Sequence, residues 1–364
     1  MKQAYEKFLP LVDGEKLYRR TLELGKLELG HTTPCRVRAA EYVVKQLEEA
    51  GIPGIERIEL PADGVTAFQD KVMPLAWDAT VGKLEFLEKI AFSGWVPVNK
   101  RGLADGDERI PADFRRHPFH LIEGSTSTPP GGIVTGLITE QQLLAGADPR
   151  GAMVMLDPMT RPTSGVIRPM LDMGVLGFVT DFAIGRYESP DTLLWANAAT
   201  ESGNWDVTAE DRPFIGFAVT PRTGDLIRKN AGSRVRVECD GRRYVGVEPM
   251  VTALVPGEST KEVWLFAHLY EPLLNDDSAG VSTAIEIAKM LMAGEKTRYS
   301  VRLVFAMEMY GYAAYAAMRG PNLKNEVVGG CNIDSICAVK GEPLTLYPTG
   351  NAKPFAGNGL VKKA

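Results

Sequence analysis

His268 is where potential chemistry is densest in this sequence. It closes an apolar run, VWLFA at residues 263–267, and opens the segment HLYEPLLNDDSAG, which carries Glu271, Asp276 and Asp277. Two later apolar runs also end in acids. Residues 301–306 (VRLVFA) run out at Glu308, and residues 327–333 (VVGGCNI) run out at Asp334. Ligands of open parallel sheets bind beyond the carboxyl ends of the strands, so these groups would meet at one rim. One imidazole among several carboxylates suits zinc, cobalt or manganese.

Each residue also has a plainer reading. A lone His at a strand end is usually a satisfied structural residue. Asp276 or Asp277 before a helix is usually an N-cap, stabilising orphan N–H groups by about 1 kcal/mol. Asp334 could cap a turn. Glu308 sits among Ala306, Met307 and Met309, and burying a carboxylate unpaired there would be costly. All four at one sheet edge favour a functional site over coincidence.

The other nucleophiles and rings are weaker candidates. There is no Gly-x-Ser-x-Gly elbow, P-loop or His-Glu-x-x-His. Cys35 lies beside Arg36 and near His31, but sequence adjacency does not establish a thiol nucleophile. His117 and His120 flank Pro118-Phe119 in a basic stretch and read as surface residues. Trp195 and Trp205 read as core or interface residues. Cys35, Cys239, Cys331 and Cys337 form no CxxC and read as free thiols of a cytoplasmic protein.

The elements that must position the rim follow from periodicity. Residues 36–50 place Val37, Ala40, Val43, Val44, Leu47 and Ala50 on one helical stripe, stopped by Gly51 and Pro53. Residues 55–60 suggest a strand. From about 106 to 246, Gly, Pro, Ser and Thr punctuate short strands at 132–138, 151–156, 175–179, 213–219 and 234–238, with helices at 166–173 and 223–230. After Gly246 the pattern is regular. Strands at 263–267, 301–306 and 327–333 alternate with helices at 279–292 and 312–318, which predicts right-handed crossovers and a parallel sheet. In the 279–292 helix, Val281, Ala284, Ile285, Ala288, Leu291 and Met292 are expected to face inward.

Bulk properties narrow the class. A chain of 364 residues is long enough for two domains. A net charge of −5 with scattered basic residues argues against nucleic acid as a partner. No signal-peptide core and no apolar run of roughly 20 residues is present, so no membrane is expected. A homo-oligomer is left open.

The rim residues resemble metallopeptidase family 28, the co-catalytic zinc aminopeptidases. The resemblance rests on His268, on Asn275-Asp276 followed by small residues and Gly280, on Glu308 three residues before Gly311, and on Asn332-Ile333-Asp334. The helix ending Glu48-Glu49-Ala50-Gly51-Ile52 is similar as well. The middle region, with its runs at 151–156 and 174–179, is similar to the protease-associated domain inserted in many members. The resemblance spans most of the chain, but only His268 to Asp334 carries specific motifs.

That resemblance implies an α/β zinc-exopeptidase-like fold, a mostly parallel sheet flanked by helices, with an inserted mainly-β domain. The implied divisions are 1–104, 105–246 and 247–364. His268 and Asp334 would bind one metal, Asp276 would bridge to a second, and Glu308 would take a proton from metal-bound water. The implied activity is metal-dependent removal of N-terminal amino acids from peptides, with zinc as cofactor (one or two ions) and other divalent transition metals open.

Two departures bear on the second ion. Met309 stands where the family has a second acid, and no His follows His268. The end at Ala364 reads as a truncation, and Glu271 is a substitute ligand. The alternative function is an inactive relative that binds peptides without turnover.

Overall fold

The computed structural model describes residues 6, 8–88, 109–183, 185–196 and 200–336. Cys337 and the end at Ala364 lie outside the described residues. The chain divides into two compact units, one of residues 1–61, 66–73 and 247–364, the other of residues 62–65 and 74–246.

The first unit begins with two helices. In α1 (Gly14–Glu28), the Asp13 side chain caps the start by accepting from the Lys16 N–H. Pro34 sits in the first turn of α2 (Thr33–Glu49), where its missing N–H costs nothing. Gly51 follows with a positive φ, a conformation glycine adopts without strain. The strands are β1 (Glu56–Ala62), β2 (Gly246–Val255), β3 (Ser259–Leu269), β4 (Tyr299–Met307) and β5 (Val327–Asn332), with α3 (Ser278–Ala293) and α4 (Tyr310–Arg319) between the last three.

Their sheet has the order β1-β2-β4-β3-β5. β3 pairs in parallel with both β4 and β5, while β2 runs antiparallel to β4, so the sheet is mixed. Sequence reasoning missed β2 because Pro249 lies inside it, and Pro argues against a central strand. The ladder with β4 begins only at Val251. The crossover from β3 leads to one neighbour, and the crossover from β4 passes back to the other. β3 is therefore where strand order reverses, the position at which open α/β sheets bind ligands.

The core lies between this sheet and its helices. Val281, Ala284, Ile285 and Ala288 of α3 are fully buried with Leu24 of α1, Leu47 of α2 and Leu303 and Phe305 of β4. Burying each large aliphatic side chain stabilises by about 1.5–3 kcal/mol. The inward stripe of α3 stops short of its predicted end, since Met292 is 41% exposed.

The second unit is mainly β. Ile133–Thr139, Met153–Met155, Gly177–Thr180 and Ile215–Ala218 form a parallel run. Arg234–Cys239, Gly82–Phe86 and Ala112–Asp113 extend the sheet antiparallel. Helices Ser164–Asp172 and Pro221–Lys229 belong to the same unit. The unit starts earlier than residue 105, because Gly82–Phe86 pairs with Arg234–Cys239 and Ala76–Asp78 with Arg242–Tyr244. No change in composition marks that boundary. Among the described residues, no helix is long and apolar enough to cross a membrane.

Candidate metal centre

Strand register brings the predicted residues to one edge. His268 pairs with Ala306, and Leu269 with Met307, so β4 delivers Glu308 one residue beyond. Phe266 pairs with Asn332, and the Ile333 N–H donates to the Phe266 carbonyl at 2.8 Å, which carries Asp334 to the same rim.

The His268 ring is buried, with 2% of its side chain exposed. Its Nε2 lies 2.9 Å from Asp276 Oδ1 and 3.9 Å from Asp334 Oδ2. Two sets of donors have all their ligand atoms within 4.8 Å of one another, His268 with Asp276 and Asp334, and His268 with Glu271 and Glu308. An ion holding donors at about 2.0–2.2 Å sets tetrahedral neighbours about 3.4 Å apart. The separations of 2.9 and 3.9 Å straddle that value. The residues therefore fit one divalent ion.

The two adjacent aspartates divide their work. Asp277 is the N-cap of α3, accepting from the Gly280 N–H at 3.0 Å and from the His268 N–H at 3.2 Å. Asp276 turns its carboxylate to the imidazole, with the side chains of Asp334 and Ser335 as further hydrogen-bonding neighbours. The peptide bond between them is cis. Gly280 is required at its place, because a Cβ there would collide with the Ile333 carbonyl oxygen and with the Asp277 carboxylate.

The electrostatics describe a place short of positive charge. Burial, with the charges of Asp276, Glu308 and Asp334, pushes Glu271 up to about 7. Burial and the Asp334 charge push Asp277 up to about 8. Glu308 is raised by burial and by the charges of Asp334 and Asp276. Burial disfavours a charged His268, but the Asp276 hydrogen bond and the charges of Asp277 and Glu271 outweigh it and hold the imidazole at about 9. Asp276 is lowered, chiefly by that hydrogen bond. A cation would relieve this mutual repulsion.

Backbone strain clusters at the same rim. Tyr270, Met309 and Ser335 all have positive φ, a region that side-chain-bearing residues rarely adopt. Each directly adjoins a rim carboxylate, Glu271, Glu308 or Asp334. Such strain, of order 1–3 kcal/mol per residue, persists where the surroundings over-determine it, often at functional sites.

Two further residues escaped the sequence reading. Glu28, the last residue of α1, is buried and accepts from the Tyr270 N–H and the Ser278 hydroxyl. The Tyr312 hydroxyl is buried without a hydrogen-bond partner, in the field of Asp277, Glu308 and Asp334. Helix periodicity gave no signal for either.

His120 is a correction. It is buried rather than on the surface, its Nδ1 lies 2.8 Å from the Ala218 carbonyl oxygen, and burial pushes it down to about 4. Trp205 is 44% exposed and is not a core residue. Cys35, Cys239 and Cys331 are free thiols.

Comparison with known proteins agrees with the fold. A family described as a domain of unknown function (DUF4910) matches residues 173–347. No curated protein sequence matches the chain. The chain is similar in structure to a zinc aminopeptidase from Bacillus subtilis (TM-score 0.59, 12% identity, 88% of this chain and 69% of that one). An aminopeptidase from Aneurinibacillus sp. strain AM-1 is also similar (TM-score 0.51, 16% identity, 91% and 72%). So is a peptidase M28 precursor from Shewanella amazonensis SB2B (TM-score 0.54, 14% identity, 86% and 72%). The chain thus has a mixed α/β fold of the zinc-exopeptidase type.

Proposed function

We propose that this chain is a metal-dependent hydrolase that removes N-terminal amino acids from peptides. The observation that carries the reading is the approach of His268 Nε2 to both Asp276 and Asp334, three donors from separate segments at one sheet edge. These three residues would hold one zinc ion, with Glu271 as an added or substitute ligand. Three protein ligands leave a fourth position open, as catalytic zinc sites do. When bound, the ion supplies Lewis acidity toward the scissile carbonyl and acidifies a water.

The chain's own groups do the rest. Glu308 has a raised carboxylate affinity for protons, which suits it to accept one from the attacking water and return it to the leaving amine. The surplus of carboxylates at the rim attracts the terminal ammonium of a peptide. The buried Tyr312 hydroxyl is held neutral by burial and the neighbouring charges, so it remains a hydrogen-bond donor. The second unit is read as a protease-associated-like insert.

Met309 favours a second reading, a relative that binds peptides without cleaving them. A thioether is a poor ligand for a borderline-hard ion, so a second metal lacks one usual donor. Hydrolysis of aminoacyl reporter amides by the purified chain with added zinc separates the two. Turnover that disappears in Glu308→Gln supports the hydrolase. Peptide binding that is unchanged by Glu308→Gln, with no turnover, supports the binder.

A further inference from the structure

Glu28 carries two electrostatic penalties where it stands. Only 2% of the residue is exposed, and it ends α1, where the negative pole of the helix dipole disfavours an anion. Neither penalty helps α1, whose apolar face is already packed through Leu24. What the carboxylate gains is a pair of hydrogen bonds to a distant part of the chain. Oε1 accepts from the Tyr270 N–H at 2.9 Å, and Oε2 accepts from the Ser278 hydroxyl at 3.0 Å.

Those two donors bracket one loop. Tyr270 follows the end of β3 and Ser278 begins α3, so Glu271 and Asp276 lie between them. Tyr270 is also one of the strained residues, and the hydrogen bond from its N–H to Glu28 Oε1 helps hold the left-handed conformation. Near Glu28, the charges of His268 and Arg36 offset part of the cost of its burial. A single carboxylate thus fixes both ends of the segment that carries Glu271 and Asp276 and begins two residues after His268.

We infer that Glu28 is a positioning residue, a clamp from α1 that sets the spacing of the His268–Asp276 loop for the ion without touching it. This rests on the metal-centre reading above. Groups that orient ligands without contacting the metal typically govern its affinity by about 10–100-fold.

The test compares the wild-type full chain with Glu28→Ala, Ser278→Ala and Leu24→Ala. Zinc affinity is measured by chelator competition, and amide exchange across residues 268–280 is measured without metal. Glu28→Ala should weaken zinc about 10–100-fold and speed exchange in the loop, at Tyr270 above all. Ser278→Ala, which deletes one of the two bonds, should shift both readouts the same way by less. Leu24→Ala, a cavity in the same helix, should lower the melting temperature and leave both readouts alone. Unchanged exchange in Glu28→Ala and Ser278→Ala overturns the clamp, and so does Leu24→Ala matching Glu28→Ala. If Glu28→Ala does not fold, Ser278→Ala decides. If wild type binds no zinc, the metal reading falls while loop exchange still judges the clamp.

Discussion

The Nε2 atom of His268 stands 3.9 Å from Oδ2 of Asp334, although the two residues close different strands of the sheet. The parallel pairing of β3 with β5 enforces that approach, and the pairing of β3 with β4 brings Glu308 to the same edge. A site assembled from three strand ends responds to mutation in ways a surface acidic patch would not.

His268 belongs to both donor sets, so His268→Ala should cost more zinc affinity than the about 10–100-fold expected for an outer partner such as Glu28. Asp276→Asn should weaken zinc as well, since an amide oxygen lacks the carboxylate charge. Calorimetric titration of each variant measures both.

Glu308→Gln should lower the turnover of an aminoacyl reporter by about 10²–10⁴-fold, the usual worth of a general base. The His268–Asp276–Asp334 set is untouched by that change, so zinc content should persist. Elemental analysis of the same preparation checks it.

Gly280→Ala should destabilise the protein by about 1–3 kcal/mol, because the new methyl meets the Ile333 backbone carbonyl as well as the Asp277 carboxylate that caps the helix. It would also push Asp277 and Ile333 apart and disturb the neighbouring Asp276 and Asp334. Denaturant unfolding and zinc titration should therefore worsen together.

Zinc stabilisation should grow as pH rises. Glu28 and Glu271 at about 7 and Asp277 at about 8 hold protons in the folded chain that the unfolded chain releases near 4. Their contribution to metal-free stability is full below about pH 4 and is lost as pH climbs through 7 to 8. His268, raised to about 9, acts in the same direction between about 6.5 and 9. Zinc takes deprotonated ligands and offsets that loss. The rise in melting temperature on adding zinc should be larger near pH 8 than near pH 5, as differential scanning calorimetry would show.

The strands of the rim were legible because each is a short, largely apolar run that ends in a polar residue, although only β4 is buried almost throughout and β5 is a half-exposed edge strand. The helices α2 and α3 were legible from their stripes. Sequence could not say whether Asp276 or Asp277 caps α3, since either type fits, and only the geometry gives the cap to Asp277. Glu28 was hidden because its partners lie 242 and 250 residues away, and in the alternating stretch before His31 a Glu reads as solvated. Residues 76–78 and 82–86 fall inside the expected 1–104 division because the strands they pair with at 242–244 and 234–239 come more than a hundred residues later.

The central claim is best tested by soaking zinc into crystals of the full chain and recording anomalous scattering at the zinc edge. The account predicts an ion within about 2.0–2.3 Å of His268 Nε2 and of carboxylate oxygens from Asp276 and Asp334. An ion seated elsewhere, or none at a zinc concentration that saturates other sites, would contradict it.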